Sequence, residues 1–559
     1  MELKKHWYKE MAVYQIWPRS FKDGNGDGIG DLKGVLSKLD YIKGLGVDAI
    51  WFSPLYKSPQ ADFGYDIADY RDIAPEYGTL DDFKEVLAGC KDRGLRVIMD
   101  LVVNHTSDQH DWFLKSRQRI EPYTDYYIWR DGRGKDGKKP PNNWTATFPG
   151  PAWKWDDVRK QYYLHLFAVE QPDLNMDNPK VRQEVVDIMK FWLDLGVDGF
   201  REDVITFISK EKGLPNGSIF MPAARGMTHY IDGPRIHEYL TQFKKEGWGN
   251  YDAMTVGEAP MMTPKNALNY ITEGDGQELN MMFNFQHMEA DCFMYSWVYT
   301  GFKLKKLKKV LSNWQTALYG KAWNALYMEN HDQPRVISRY GNENYRTESG
   351  KMIANMYLFL GGTPFIYQGQ EIGMTNIRIP NLEDYVDVST ITTYNLFRKL
   401  GFSHEFTMRR AMYSSRDNAR TPVQWTSGAN AGFTDGEKPW FLINQNYTEV
   451  NIEDNLNDSD SLLNYYKKLL RLRKENEVII YGDYKEHMHG SKKLYVYERN
   501  LNGKKLLVVC SFVEGAVKFT APKGIELEKG KLLSCNYADA PVEGNGFVTR
   551  PYEVRTYLF

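Results

Sequence analysis

Short β-rich runs alternate with amphipathic helical stretches through roughly the first 380 residues, and this restricts the chain to a sheet with helices packed on it. The runs are Ala12–Ile16, Asp48–Ser53, Arg96–Val103, Val197–Val204, Met254–Gly257, Met281–Phe285, Trp323–Met328 and Thr363–Tyr367. Between them, Leu80–Lys91 and Val181–Leu195 keep the helical period, the second ending at Gly196. Eight strands close a parallel barrel. No GxGxxG fingerprint follows the first run, so a (β/α)8 TIM barrel in the α/β class is favoured over an open doubly wound sheet.

Two stretches break the alternation. From His105 to Asn175 lie about seventy residues rich in Trp, Tyr, Pro and Gly, too many for a structureless loop in a compact protein. They read as a subdomain inserted after the third strand. After a last long helix, Ser461–Glu475, short alternating strands follow at Lys493–Tyr497, Leu506–Cys510, Val517–Thr520 and Val554–Leu558. They read as a C-terminal antiparallel β-domain, a β-sandwich. The expected divisions are residues 1–104 and 175–478 for the barrel, 105–174 for the insert and 479–559 for the C-terminal domain.

Composition removes several classes of function. The 71 basic and 73 acidic residues nearly balance, which argues against nucleic acid or an anionic membrane as the main partner. Cys90, Cys292, Cys510 and Cys535 lie far apart, with no CxxC pair, so neither a zinc ribbon nor a disulfide scaffold is indicated. No apolar h-region follows the N-terminal Met, and no apolar run approaches the ~18 residues of a membrane span. A cytoplasmic protein, monomeric or weakly homo-oligomeric, is expected.

In a barrel, chemistry sits at the C-terminal ends of the strands, and acidic residues gather at these ends. The third run carries Asp100 and leads to Asn104-His105, the fourth carries Arg201-Glu202-Asp203, the fifth leads to Glu258, and the seventh leads to Glu329-Asn330-His331-Asp332. Alternation puts Arg201 and Asp203 on one face and Glu202 on the other. Converging carboxylates with Arg and His beside them suit a cationic transition state. One carboxylate attacks while a second, its pKa raised, protonates the leaving oxygen, as in glycoside hydrolysis.

The segments Asp100-Leu101-Val102-Val103-Asn104-His105, Gly199-Phe200-Arg201-Glu202-Asp203, Gly257-Glu258 and Asn330-His331-Asp332 resemble, in order, the four signature motifs of the α-amylase family, glycoside hydrolase family 13. Gln171-Pro172-Asp173-Leu174-Asn175 resembles the fifth motif in its oligo-1,6-glucosidase form. Residues 367–374 and 415–422 are also similar to that branch, and the resemblance spans essentially the whole chain. It implies a retaining double displacement with Asp203 as nucleophile, Glu258 as general acid and then base, and Asp332 stabilising the distorted sugar. It further implies that His105, Arg201 and His331 hydrogen-bond the sugar or the nucleophile. Asp66 would grip the 4- and 6-hydroxyls of a terminal glucose, with Tyr65 stacking beneath and Arg416 in the same pocket. No organic cofactor is implied.

A second constellation, Asp23-Gly24-Asn25-Gly26-Asp27-Gly28-Ile29-Gly30-Asp31, alternates oxygen ligands with glycines, as a hard cation needs. It begins like an EF-hand loop but has Gly34 where the bidentate Glu would fall. The resemblance implies a structural Ca2+, or Mg2+, held by Asp23, Asn25, Asp27 and Asp31 side chains and the Ile29 carbonyl.

Within the branch, a pocket closed around one terminal glucose implies exo-action on short oligosaccharides. A Val after the nucleophile, here Val204, resembles the α-1,6-selective members. The expected activity is therefore release of glucose from isomaltose, isomaltooligosaccharides and panose. An α-1,4-preferring α-glucosidase acting on maltose or sucrose is the alternative, with trehalose-6-phosphate hydrolase behind it. Sucrose isomerases carry an arginine-rich loop after the acid/base strand, and residues 259–291 contain no arginine. A catalytically inactive sugar-binding relative is disfavoured because every catalytic carboxylate is retained. Glu202 and Glu329 depart from the family pattern; Glu202 faces the strand–helix layer, where a Lys, Arg or hydrogen-bonding partner is expected.

Overall fold

The computed structural model describes residues 5–221, 224–293 and 295–559. Its central sheet has eight parallel strands: β1 Val13–Ile16, β2 Ala49–Phe52, β3 Arg96–Leu101, β4 Gly199–Glu202, β5 Met254–Ala259, β6 Met281–Asn284, β7 Ala325–Leu326 and β8 Thr363–Tyr367. They run in the order β6-β5-β4-β3-β2-β1-β8-β7, and β6 lies beside β7 at the remaining seam, so the sheet curls into a barrel. Each run read as a strand from the sequence contains one of them, except that β5 continues two residues past Gly257, to Ala259. Every strand residue except Arg96 is buried, as strands filled by side chains inside and covered by helices outside must be.

Local chemistry sets the helix limits. Helix α1, Leu80–Asp92, starts at a capping box in which Thr79 and Asp82 satisfy each other's backbone N–H groups. Helix α2, Pro179–Leu195, has Asn178 as N-cap, Pro179 in its first position and Gly196 at φ 112° as a left-handed stop. Helices α3, Pro264–Ile271, and α4, Leu304–Leu318, follow β5 and β6, and α5, Leu462–Glu475, leads to the C-terminal region. At the start of β4 a Cβ on Gly199 would stand 2.0 Å from the Met254 carbonyl oxygen, so only glycine lets β4 approach β5 there.

The segment after β3 folds as a small unit with a helix, Asp111–Arg117, and a three-stranded antiparallel sheet ordered Trp129–Arg130, Gln161–Leu164, Trp153–Asp156. Its own apolar cluster, including Trp144, Trp153 and Leu164, also takes in Val204 and Phe207 from the turn after β4. The insert therefore packs directly on the segment that follows Asp203. Beyond α5, a five-stranded antiparallel sheet is pinned to the barrel by Arg499, whose buried guanidinium donates to the Phe359, Ile479 and Gly482 carbonyls. The four cysteines are unpaired, and among the described residues no helix is long and apolar enough to cross a membrane.

Candidate active site

The β3–β4 register sets Asp100 beside Arg201, and the β4–β5 register sets Gly257 beside Glu202. One step further along, Glu258 comes level with Asp203. Side-chain alternation then points Arg201 and Asp203 to one face, where the Arg201 guanidinium gathers three carboxylates. Its Nη1 lies 2.7 Å from Asp100 Oδ1 and 2.6 Å from Asp203 Oδ1, and its Nη2 lies 2.6 Å from Glu258 Oε2. Burial, with the Glu258 and Asp100 carboxylates beside it, pushes Asp203 well above the usual carboxylate range, against the pull of Arg201. Asp203 and Glu258 thus meet on one guanidinium.

Val204 follows at φ 35°, a left-handed conformation that is rare for a β-branched residue. Its N–H donates to Glu258 Oε2 at 3.1 Å.

A second cluster stands on the opposite side of the ring. Asp332 accepts from Arg420 Nη2 at 2.8 Å and Arg416 Nη1 at 3.3 Å, and lies 3.2 Å from His331 Nε2. Burial opposes its charge, but His331, Arg416 and Arg420 hold it well below the usual carboxylate range. The His331 ring lies between Tyr65 and Trp17, stacked on each at 5.3 Å. Gln15 Nε2 meets its Nδ1 at 2.8 Å, and Tyr65 OH lies 2.6 Å from its Nε2 and donates to Asp100 Oδ2. Tyr65 thus joins the two clusters. His105 is fully buried and kept neutral, its pKa lowered to about 4 by burial, with Nε2 3.1 Å from the Tyr65 carbonyl and Nδ1 3.2 Å from Asn104 Nδ2.

Asp66 occupies a different position from the one the resemblance implies. It is 0% exposed, and its carboxylate accepts from Ser58 Oγ and the backbone N–H groups of Ala61 and Asp62. Burial raises it to about 6. It ties the turn, and Asp62, four residues earlier, presents its carboxylate to Arg416 Nη2 at 3.0 Å. Arg416 is fixed from behind by Asp387 at 2.6 Å.

A family model for the α-amylase catalytic domain matches residues 15–482. The chain belongs to the α-amylase family. It is 49% identical to the oligo-1,6-glucosidase of Parageobacillus thermoglucosidasius, over 99% of each chain. The crystal structure of Bacillus licheniformis trehalose-6-phosphate hydrolase superposes with a TM-score of 0.93 at 45% identity, covering 99% of this chain and 100% of that one. Isomaltulose synthase from Klebsiella sp. LX3 superposes with a TM-score of 0.94 at 39% identity over the full length of both.

Where this α-amylase family member departs from the family pattern, the two odd glutamates are handled differently. Glu329 is paired with buried Arg335 at 3.1 Å and accepts the Val336 N–H at 2.6 Å. Glu202 lacks the partner expected for it: its Oε2 is buried without a hydrogen-bond donor, and burial alone raises it to about 8. Protonation takes the place of a counter-ion, since a neutral acid costs far less to bury than a charge.

In the glycine-rich loop, Asp23 accepts from the Asn25, Gly26 and Gly28 N–H groups, Asn25 Oδ1 from Asp27, Asp27 from Ile29, and Asp31 from Gly24 and Gly34. Burial, then the Asp23 and Asp27 charges, raises Asp31. No three His, Cys, Asp or Glu side chains among the described residues converge closely enough to hold a metal by themselves. A cation here would depend on the Asn25 amide and the Ile29 carbonyl as well.

Sequence reasoning passed over Asp62, Asp387, Arg420 and Lys210. Arg420 falls four residues after Arg416 across one short helical turn, Asp417–Arg420, a spacing that could have flagged it. Lys210 Nζ, buried where the insert meets the barrel, lies 2.7 Å from Asp173 Oδ2 and donates to Asn104 Oδ1 at 2.8 Å. Nothing in the sequence near it marks that role.

Proposed function

We propose that this protein is an exo-acting, retaining α-glucosidase that releases glucose from the non-reducing end of short α-1,6-linked oligosaccharides. The observation that carries the reading is the Asp203–Glu258 pair on one guanidinium. Two carboxyl groups each 2.6 Å from the same guanidinium fit the close spacing of a retaining enzyme, about 5–5.5 Å, better than the about 6.5–9.5 Å that an inverting enzyme needs for its interposed water.

The oxygens divide the labour. Asp203 Oδ1 is held by Arg201, which leaves Oδ2 to attack the anomeric carbon. Glu258 Oε2 is held by Arg201 and the Val204 N–H, which leaves Oε1 to carry the proton. Entry of the sugar separates the pair, and Glu258 acts as the acid. As the C1–O bond breaks, its proton passes to the leaving oxygen and Asp203 forms a glucosyl ester. Glu258 then takes a proton from water, whose oxygen attacks C1 and releases Asp203. Asp332, ionised at all working pH values, complements the positive charge at the sugar ring and binds its hydroxyls.

Asp62 with Arg416 is the charged pair suited to grip the far hydroxyls of the terminal glucose, in place of Asp66. Val204 packs with the insert beside Glu258, where its branched side chain narrows the leaving-group side and disfavours a 4-linked sugar. The loop from Asp23 to Asp31 would hold Ca2+, with Mg2+ as the alternative, in a purely structural role.

The test is glucose release from isomaltose and maltose in parallel, with Asp203→Asn as control. Strong preference for isomaltose, abolished by the substitution, is expected. Preference for maltose would discard the linkage assignment while keeping the mechanism, and activity on neither would discard both.

A further inference from the structure

We propose that the Lys210–Asp173 ion pair is a positioning device for His105: acting through Asn104, it fixes the imidazole in the tautomer whose proton is on Nε2, ready to donate to the terminal glucose. The contact with glucose rests on the function proposed above, whereas the tautomer does not. Lys210 comes from the segment after β4, Asp173 from the end of the insert, and Asn104-His105 from the end of β3. Asn104 and Asp173 are 0% exposed and the Lys210 side chain 5%.

A side-chain amide can lie either way round, and the two charged neighbours of Asn104 choose for it. Lys210 Nζ, which can only donate, lies 2.8 Å from Asn104 Oδ1. Asp173 Oδ2, which can only accept, takes Asn104 Nδ2 at 3.2 Å. Turning the amide over would set its oxygen against the carboxylate and its N–H groups against the ammonium. The two charges also hold each other, at 2.7 Å. With the amide fixed, the group that faces His105 Nδ1 at 3.2 Å is an N–H donor. Nδ1 must therefore accept, and a neutral imidazole then carries its one proton on Nε2.

The other edge of the ring agrees. His105 Nε2 lies 3.1 Å from the Tyr65 carbonyl oxygen, which can only accept. Gln171 Nε2 reaches the same oxygen at 3.2 Å and Asp62 Oδ2 at 3.3 Å, its own Oε1 accepting the Ala168 N–H. A carbonyl has two lone pairs and takes both donors. A proton on Nδ1 would instead bring N–H against N–H at Asn104 and lone pair against lone pair at Tyr65. A joint between insert and barrel needs only the ion pair. The Asn104 amide, set between that pair and the ring, is what carries its polarity to His105.

Nitrogen-15 NMR of the ligand-free protein, labelled at histidine, reads the tautomer directly, with the His105 signals assigned by their loss in His105→Gln. The parent should show one neutral ring protonated on Nε2. Exchanging two side chains, Asn104→Asp with Asp173→Asn, keeps the net charge and a carboxylate for Lys210 but sets that carboxylate against Nδ1. A proton should then appear on Nδ1, and kcat/KM on isomaltose should fall at least about tenfold. Removing both charges, Lys210→Met with Asp173→Asn, frees the amide to turn and should give a mixture of tautomers. A proton on Nδ1 in the parent, or a ring protonated on Nε2 alone in either double variant, would overturn the proposal. An unchanged kcat/KM in the exchanged variant, once its proton has moved, would overturn the positioning role. The spectra decide the tautomer whatever sugar the parent hydrolyses.

Discussion

The backbone N–H of Val204 donates to Glu258 Oε2 at 3.1 Å while Val204 itself is held at φ 35°. The residue after Asp203 thus orients Glu258 with its amide. The left-handed conformation of a branched residue costs of order 1–3 kcal/mol, and the packing of β4 and the insert maintains it. Val204→Gly should relieve that strain and roughly offset it by the entropy of the unfolded chain, leaving the melting temperature within a few degrees. Its removal of the side chain should shift kcat/KM from isomaltose toward maltose. An unchanged ratio would show that Val204 does not set linkage preference.

Glu202 should govern the alkaline side of stability. Its folded pKa, raised to about 8 by burial, lies above the ordinary value of 4.5, so the native state holds a proton that the unfolded chain loses. The resulting stability is complete below about pH 4.5 and is lost progressively as pH rises to about 8, by up to several kcal/mol. Glu202→Gln has no proton to lose. Its melting temperature relative to the parent should therefore rise between pH 5 and pH 9; parallel pH curves would refute the assignment.

Lys210→Ala should loosen the joint between insert and barrel. It strands the fully buried Asp173 carboxylate without its cation, a loss of about 3–5 kcal/mol for a broken buried pair. Thermal unfolding measures it, and an unchanged melting temperature would contradict the role.

Asp62→Asn and Asp66→Asn should separate binding from folding. The first removes a charged partner of Arg416 and should lower kcat/KM by about 10- to 100-fold at little cost in stability. The second turns an amide N–H toward the donors Ser58, Ala61 and Asp62, and should lower the melting temperature first. The reverse pattern would restore Asp66 to the pocket.

These contrasts mark what a linear sequence can carry. The strands were legible because each is a short apolar run, and the convergence of Asp100, Asp203 and Glu258 because they fall where such runs end. Asp62 and Asp66 stand four apart in one turn, and only the folded turn shows that Ser58 and two backbone amides consume Asp66. The Lys210–Asp173 joint spans 37 positions and exists only once the insert has docked. The isolation of Glu202 is a property of its buried surroundings, so a partner was the reasonable expectation and protonation is what the fold supplies.

Chelation should probe the glycine-rich loop. Removing a divalent cation from Asp23–Asp31 with EDTA should lower the melting temperature, with Ca2+ restoring it, while kcat well below that temperature stays the same. Insensitivity to EDTA and Ca2+ alike would remove the metal from the description.

The most direct test of the central claim is the anomeric form of the first glucose released, followed by proton NMR on isomaltose before mutarotation intervenes. Attack by Asp203 with Glu258 alternating as acid and base gives α-glucose first, with the β-anomer growing in later. Initial β-glucose would mean direct attack by water, and would contradict the roles assigned to both carboxylates.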